Sequence, residues 1–316
     1  MTGKSLTTPS VFPFTEITMS NTFIDKACAV VPKFENRISI FHKKLCIAQY
    51  AEQSIYDYKL KIAQAALHLQ KLPDDFTQDD IEGYLSSLLD QKRYSISYFK
   101  HTVFGLQNYY KVMGLKEPKG LVLPKVRKLQ KLPRVLSQRS IARLVQCCNL
   151  YNKTLLALIY DCALRVSEAC RLRWEDVCFD RRMLFVCQSK GNKDRYVPIS
   201  SQMLIVLSAF RKRYPSDDFV FKTHGKNVTP QRINPGYVRT ILKNALTKAA
   251  LDPTITIHAL RHSAATHLLE NGESILDVMN RLGHKRISTT MNYLHVADIE
   301  RIKHVRLIDT LFPPRQ

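Results

Sequence analysis

The sequence predicts a mainly α-helical protein with one small antiparallel β-sheet, an α+β architecture in two domains. Three observations carry this. The chain has 316 residues, enough for about two separate cores. Apolar residues recur every three or four positions over most of its length. In one interval only, Trp174 to Ser200, short β-branched and aromatic runs alternate with turns.

Residues 1–40 contain Pro9, Pro13 and Pro32 and no sustained period, and are read as an arm with at most one short helix. Residues 41–116 are read as a small all-helical domain. Ile47, Tyr50, Ala51, Ile55 and Tyr58 keep helical spacing; after Thr77, an N-cap, so do Ile81, Tyr84, Leu85 and Leu88, and then Val103, Leu106, Tyr109 and Tyr110.

Residues 117–134 read as a basic linker. From Lys116 to Arg134 the chain holds Pro118, Pro124 and Pro133, with seven basic residues against Glu117 alone. Such a run is either a solvated connection or a strap along a phosphate backbone, where each neutralised phosphate releases counterions.

Residues 135–316 form the second predicted domain. Helices resume at Ser137 and run through the apolar segment Leu155 to Ala163. Three strands follow, Val177 to Phe179, Met183 to Cys187 and Arg195 to Pro198, joined by Asp180-Arg181-Arg182 and by a tip containing Gly191-Asn192. Helices return from about Gln231. The last three start near His258, Ser274 and Ser288, and Asn271-Gly272 and Gly283 supply stops.

The 48 Lys and Arg outnumber the 27 Asp and Glu, for a formal charge of +21. A polyanion is the expected partner. No run of about 18 apolar residues and no apolar signal core is present, so a soluble, cytoplasmic protein acting on nucleic acid is expected, with no membrane partner. The eight cysteines are scattered without a C-x-x-C pair, as expected of small buried groups in a reducing compartment.

Four short elements carry chemistry. His258-Ala259-Leu260-Arg261 stands on the first turn of a helix, where residues three apart share a face and can offer an imidazole and a guanidinium to one phosphate. The alternatives are a surface pair and, with His262 one turn on, a zinc site. Position 259 is Ala where the zinc motif needs Glu, and no third ligand is evident.

Arg165, in Ala163-Leu164-Arg165-Val166-Ser167-Glu168, ends a strongly apolar helix and needs an anionic partner. Glu168 supplies it, either as a purely local ion pair or as a group that orients the guanidinium toward a ligand. Lys190, at the edge of the second hairpin, is better placed than Lys193 to reach a cleft as a general acid. Leu282-Gly283-His284 is followed nine residues on by Tyr293, on a helix that Ser288 can cap. A phenol with a pKa of about 10 is a useful nucleophile only where cations or a base favour its deprotonation.

In this order the four elements resemble the catalytic domain of the tyrosine recombinase and phage integrase family. The run "IHALRHSAATHLLENGESILDVMNRLGHKRISTTMNYLHV", Ile257 to Val296, is similar to the family throughout. Residues 41–116 resemble the family's SAM-like core-binding domain. The resemblance implies a DNA-breaking-rejoining fold and a site-specific recombinase whose catalytic residues are Arg165, Lys190, His258, Arg261, His284 and Tyr293.

It implies further that Tyr293 attacks the scissile phosphorus to leave a 3′-phosphotyrosyl bond and a free 5′ hydroxyl. The two arginines would hold the non-bridging oxygens, the two histidines donate to the same charge, and Lys190 protonates the leaving oxygen. No metal ion or cofactor is implied. The implied partner is double-stranded DNA, engaged by a homotetramer on paired sites, with an accessory or partner recombinase left open.

Two competitors stay open: a DNA-binding regulator that has lost catalysis, and a type IB topoisomerase with the same chemistry. One departure stands out. Ala163 occupies the position where the family mostly has Gly, and a positive φ there would strain it.

Overall fold

Seven apolar residues, Ile24, Ala27, Val31, Phe34, Ile38, Phe41 and Leu45, are spaced alternately three and four apart and are all buried. They form one continuous stripe across helices α1 (Thr22–Val30) and α2 (Phe34–Ile47). The structure, a computed structural model, describes residues 22–90, 94–121, 123, 133–189, 193–224, 229–294 and 296–297. Contacts divide the chain into two units, Met1–Lys128 and Leu129–Gln316.

The arm expected over residues 1–40 is therefore corrected from Thr22 onward, where the chain is helical and contributes to a core; residues 1–21 lie outside the described residues. Pro32, read as a breaker, sits in the turn between two helices. There it interrupts the hydrogen-bond ladder but not the apolar stripe.

The first unit continues with α3 (Glu52–Leu69), α4 (Gln78–Asp90) and α5 (Ile96–Met113). Thr77 caps α4 as expected: its Oγ1 accepts from the Asp80 backbone N–H at 3.2 Å, and Asp80 accepts in return from the Thr77 N–H at 2.9 Å. Ser95 caps α5, and Gly114 ends it at φ 72°. Tyr109 and Arg37 both bond Asp74, and the Tyr110 hydroxyl donates to Pro73 O at 2.7 Å, tying the loop before α4 to the core.

Within the basic stretch, residues 122 and 124–132 lie outside the described residues. Arg134 beyond them donates to Thr254 Oγ1 and pairs with Asp252 at 3.3 Å, so its charge is shared with the turn before residue 256.

The second unit runs through α6 (Gln138–Gln146), α7 (Leu150–Asp161) and α8 (Val166–Arg171) into strands β1 (Val177–Cys178), β2 (Met183–Ser189) and β3 (Lys193–Pro198). It then continues through α9 (Ser201–Arg213), α10 (Pro235–Lys248), α11 (Ile257–Glu270), α12 (Ile275–Leu282) and α13 (Ile287–Leu294). The sheet is antiparallel in the order β1-β2-β3, as the sequence predicts.

Its register has a functional consequence. Leu184 pairs with Val197 and Val186 with Arg195, and residues directly opposite share a face. Leu184, Val186 and Val197 are buried, so the same alternation carries Arg195 inward, while Tyr196 between them is exposed.

Helix α11 is buried on nearly every side. Ile257, Ala259 and Leu260 belong to the main core of this unit, whereas Ala264, Ala265 and Leu269 belong to a smaller one with Val278, Leu282 and Tyr293. Alanines at these positions let neighbouring elements approach closely. The surface-pair alternative for His258 and Arg261 fails here, because Arg261 is buried.

Three local expectations are corrected. Ser288 lies inside α13 and does not cap it; α10 begins at Pro235 with Asn234 as its cap, later than Gln231; and β3 begins at Lys193. Of the eight free cysteines only Cys162 and Cys170 are fully buried, and Cys46 and Cys187 are exposed. No described helix is long and apolar enough to cross a membrane.

Candidate active site

The site begins where α7 ends. Ala163 follows the last turn at φ 49°, in the left-handed region that disfavours any side chain, and the strain anticipated from its sequence position is present. The reversal aims the Ala163 carbonyl at Arg261, whose Nη1 donates to it at 2.7 Å. It also places Arg165 at the N-cap of α8.

Glu168, three residues on, accepts from the Arg165 backbone N–H at 2.8 Å and from Arg165 Nη1 at 2.7 Å. Arg195 reaches the same carboxylate from β3, with Nη1 to Oε1 at 3.0 Å and Nη2 to Oε2 at 2.9 Å, and Arg261 Nη1 lies 3.8 Å from Oε2. Burial alone would raise the Glu168 pKa. The hydrogen bonds and charge of Arg195, reinforced by Arg165, outweigh it and hold the carboxyl at about 2. Three guanidinium groups share this one carboxylate, leaving two positive charges in excess.

Arg165 is ion-paired to Glu168 as expected, and the pair is not purely local, because Arg195 shares the carboxylate. Arg165 Nη2 donates to Gly283 O at 3.3 Å, and its side chain is 19% exposed against 9% for Arg195 and 4% for Arg261. Arg165 is the member of the cluster most open to an incoming anion.

Gly283 ends α12 at φ 63°, and a Cβ there would lie 3.2 Å from Arg195 Cδ and Nη1. The turn it makes presents His284. The Nδ1 of His284 is 2.9 Å from Thr290 Oγ1 and its Nε2 is 3.5 Å from Arg261 Nη2. Burial, then the charges of Arg261 and Arg165, push the His284 pKa down to about 4, so its imidazole is neutral at pH 7. Burial and then Arg165 likewise lower Arg261 to about 10, still cationic.

Tyr293 on α13 packs its ring nearly parallel to His284, with centroids 6.2 Å apart at 12°. Its hydroxyl is 2.9 Å from His262 Nδ1. Burial raises the phenol pKa, and the charges of Arg261 and Arg165 oppose that rise. His258 stands at the open edge of the cluster, its pKa lowered by partial burial and then by Arg261 and Arg165.

The fold thus gathers Arg165, His258, Arg261, His284 and Tyr293, brought from three segments as far as 128 positions apart. Lys190 lies outside the described residues. Two residues of the cluster were not singled out as catalytic candidates from the sequence. Strand alternation could have found Arg195, which shares a face with Val197; His262 was weighed only as a partner of His258 in a zinc site. Among the described residues no three His, Cys, Asp or Glu side chains gather to hold a metal ion. Chemically, the cluster can neutralise an oxyanion and set a phenol beside it.

Comparison with known proteins gives a consistent picture. A model described as "Phage integrase family" matches residues 134–300, and one described as "Phage integrase, N-terminal SAM-like domain" matches residues 38–117. A tyrosine recombinase XerA of Pyrococcus horikoshii is 35% identical over 229 residues, 71% of this chain and 79% of that protein. A tyrosine recombinase of Thermosipho africanus is 30% identical over 274 residues, 82% of this chain and 94% of that one.

Among solved structures, the XerH site-specific recombinase in its post-cleavage complex with a palindromic difH substrate shares the fold at a TM-score of 0.61 and 17% identity, over 89% of this chain and 92% of that one. A lambda integrase tetramer bound to a Holliday junction does so at 0.64 and 17%, over 82% of this chain and 76% of that one.

Proposed function

The chain belongs to the phage integrase family of tyrosine recombinases, and from that premise we propose that Tyr293 is the nucleophile with which it cleaves and rejoins DNA at specific sites. The observation that carries the assignment is the phenol of Tyr293 set beside His284 within the field of Arg165 and Arg261.

In this reading the Tyr293 oxygen attacks the scissile phosphorus, a 3′-phosphotyrosyl bond forms and the 5′ oxygen leaves. The phosphoester energy is retained in the new bond. Arg165 and Arg261 hold the non-bridging oxygens, because a planar guanidinium matches a phosphate at two points and two positive charges in excess stabilise the added charge of the transition state. Lys190 protonates the 5′ oxygen.

His284 is neutral in the free protein. A phosphodiester seated against Arg261 adds negative charge and raises its proton affinity, which turns Nε2 into a donor to the same oxygen. His258 donates from the open edge. Four protomers act on two duplexes, as in the lambda integrase tetramer on a Holliday junction. The enzyme works in the cytoplasm and moves or resolves a DNA element.

The test uses a nicked duplex carrying a site recovered from genomic fragments that the protein links covalently. The parent protein forms a denaturant-resistant adduct on it, and Tyr293→Phe binds the duplex with no adduct. An adduct that persists in Tyr293→Phe removes the assignment.

A further inference from the structure

The one described hydrogen-bond partner of the Tyr293 hydroxyl is His262 Nδ1, at 2.9 Å. Neither nitrogen of His284 serves the phenol: Nδ1 faces Thr290, Nε2 faces Arg261, and the ring is stacked rather than aimed. His262 stands beside Arg261 on α11 and one turn from His258, with its ring centroid 5.5 Å from that of Tyr293 at 44°. It is half-buried, so its nitrogen is screened from water while remaining in line with the phenol.

We propose that His262 is a catalytic residue: the general base that takes the Tyr293 proton on cleavage and returns it on rejoining. The inference rests on Tyr293 being the nucleophile. In the forward step the phenol proton passes to His262 Nδ1, the Tyr293 oxygen bonds to phosphorus, and the P–O5′ bond breaks. The electron pair of that bond goes to the 5′ oxygen, which is protonated by Lys190. In the reverse step a 5′ hydroxyl attacks the phosphorus and gives its proton back to Lys190, the bond from phosphorus to the Tyr293 oxygen breaks, and protonated His262 returns its proton to the departing phenolate.

The surroundings suit a base. Burial, then His258 and Arg261, depress the His262 pKa, so the imidazole is neutral at pH 7 and its Nδ1 can accept. The groups facing it are His258 and Arg261 on its own helix, Tyr293 on α13 and His284 on the turn before α13; no carboxylate is among them. A phosphodiester entering this cationic surround raises the proton affinity of His262, so the base strengthens as substrate arrives.

The experiment uses the full chain and the nicked duplex above. His262→Asn keeps an acceptor near the Nδ1 position but cannot take a proton; it is expected to bind the duplex normally and to cleave about 100-fold more slowly, with rejoining slowed by a similar factor. Placing 2,3,5-trifluorotyrosine at position 293 acidifies the phenol, and in the His262→Asn background it is expected to recover most of the loss. Cleavage by the parent falls as His262 is protonated at low pH, and that limb flattens in the variant.

His262→Gln, checked by thermal melting, serves if the Asn variant does not fold. Cleavage within threefold of the parent in the folded variant, or a loss that the acidified phenol does not recover, overturns the proposal. If the parent adduct itself survives Tyr293→Phe, the reading of the nucleophile has failed instead.

Discussion

Arg195 and Glu168 form a two-point ion pair, Nη1 to Oε1 at 3.0 Å and Nη2 to Oε2 at 2.9 Å, between strand β3 and helix α8. Through Arg195 Nε, which donates to Arg281 O at 2.9 Å, the same side chain also grips the end of α12. One guanidinium thus joins the hairpin, the Arg165 turn and the His284 turn.

Breaking a buried pair outright typically costs about 3–5 kcal/mol, but without Arg195 the Glu168 carboxylate keeps Arg165 at 2.7 Å and Arg261 at 3.8 Å, so the cost here is smaller. Arg195→Met is therefore expected to lower the unfolding free energy by less than that and to reduce cleavage beyond the loss of folded protein, because Glu168 loses the two-point partner that fixes it beneath Arg165. Urea unfolding and single-turnover cleavage on the same preparation check this. An Arg195→Met protein with parental stability would show that the pair contributes nothing net.

Acid should destabilise the fold in two steps. The His284 pKa is depressed from its ordinary 6.5 to about 4, so the unfolded chain takes up the proton first, and stability is lost as pH falls from about 6.5 toward 4; His258 and His262 shift in the same direction. Glu168 is depressed from 4.5 to about 2, so the stability it contributes is present above 4.5 and lost on further acidification through 2. Thermal melting between pH 8 and 3 reads both steps, and His284→Asn should flatten the first. A melting temperature that is level from pH 7 to 5 contradicts the histidine assignment.

Two left-handed positions hold the site, and they differ in what they tolerate. At Ala163 (φ 49°), Gly relieves strain of about 1–3 kcal/mol but loses a buried methyl and adds chain entropy, so Ala163→Gly should stay within about 1 kcal/mol of the parent. Ala163→Val, β-branched at a fully buried positive φ, should cost several times more. At Gly283, where a Cβ would also press on Arg195, Gly283→Ala should cut cleavage more than DNA binding, because the displaced carbonyl is the one Arg165 holds. Melting curves and adduct formation on the three variants test this, and a freely tolerated Ala163→Val would refute the strain argument.

Much of this protein is legible in its sequence because helices and strands are encoded locally. The cap at Thr77, the helix starts at Ser137 and Ser274, the stop at Gly283 and the three strands all follow from residues within a few positions of one another. The same locality misled at the N-terminus, where Pro32 hid an apolar stripe that only packing against α3 and α5 makes meaningful.

The order of Arg165, His258-x-x-Arg261, Leu282-Gly283-His284 and Tyr293 is likewise a property of the chain, and the expectation of a phosphate-directed phenol rests on it. Tertiary structure alone decided what those groups touch. Arg261 meets Ala163 O across 98 positions, Arg195 meets Glu168 across 27, and His262 meets Tyr293 across 31. Such contacts arise because a carbonyl or carboxylate buried by packing must find a donor wherever the fold brings one near, and local spacing carries no record of which donor that will be.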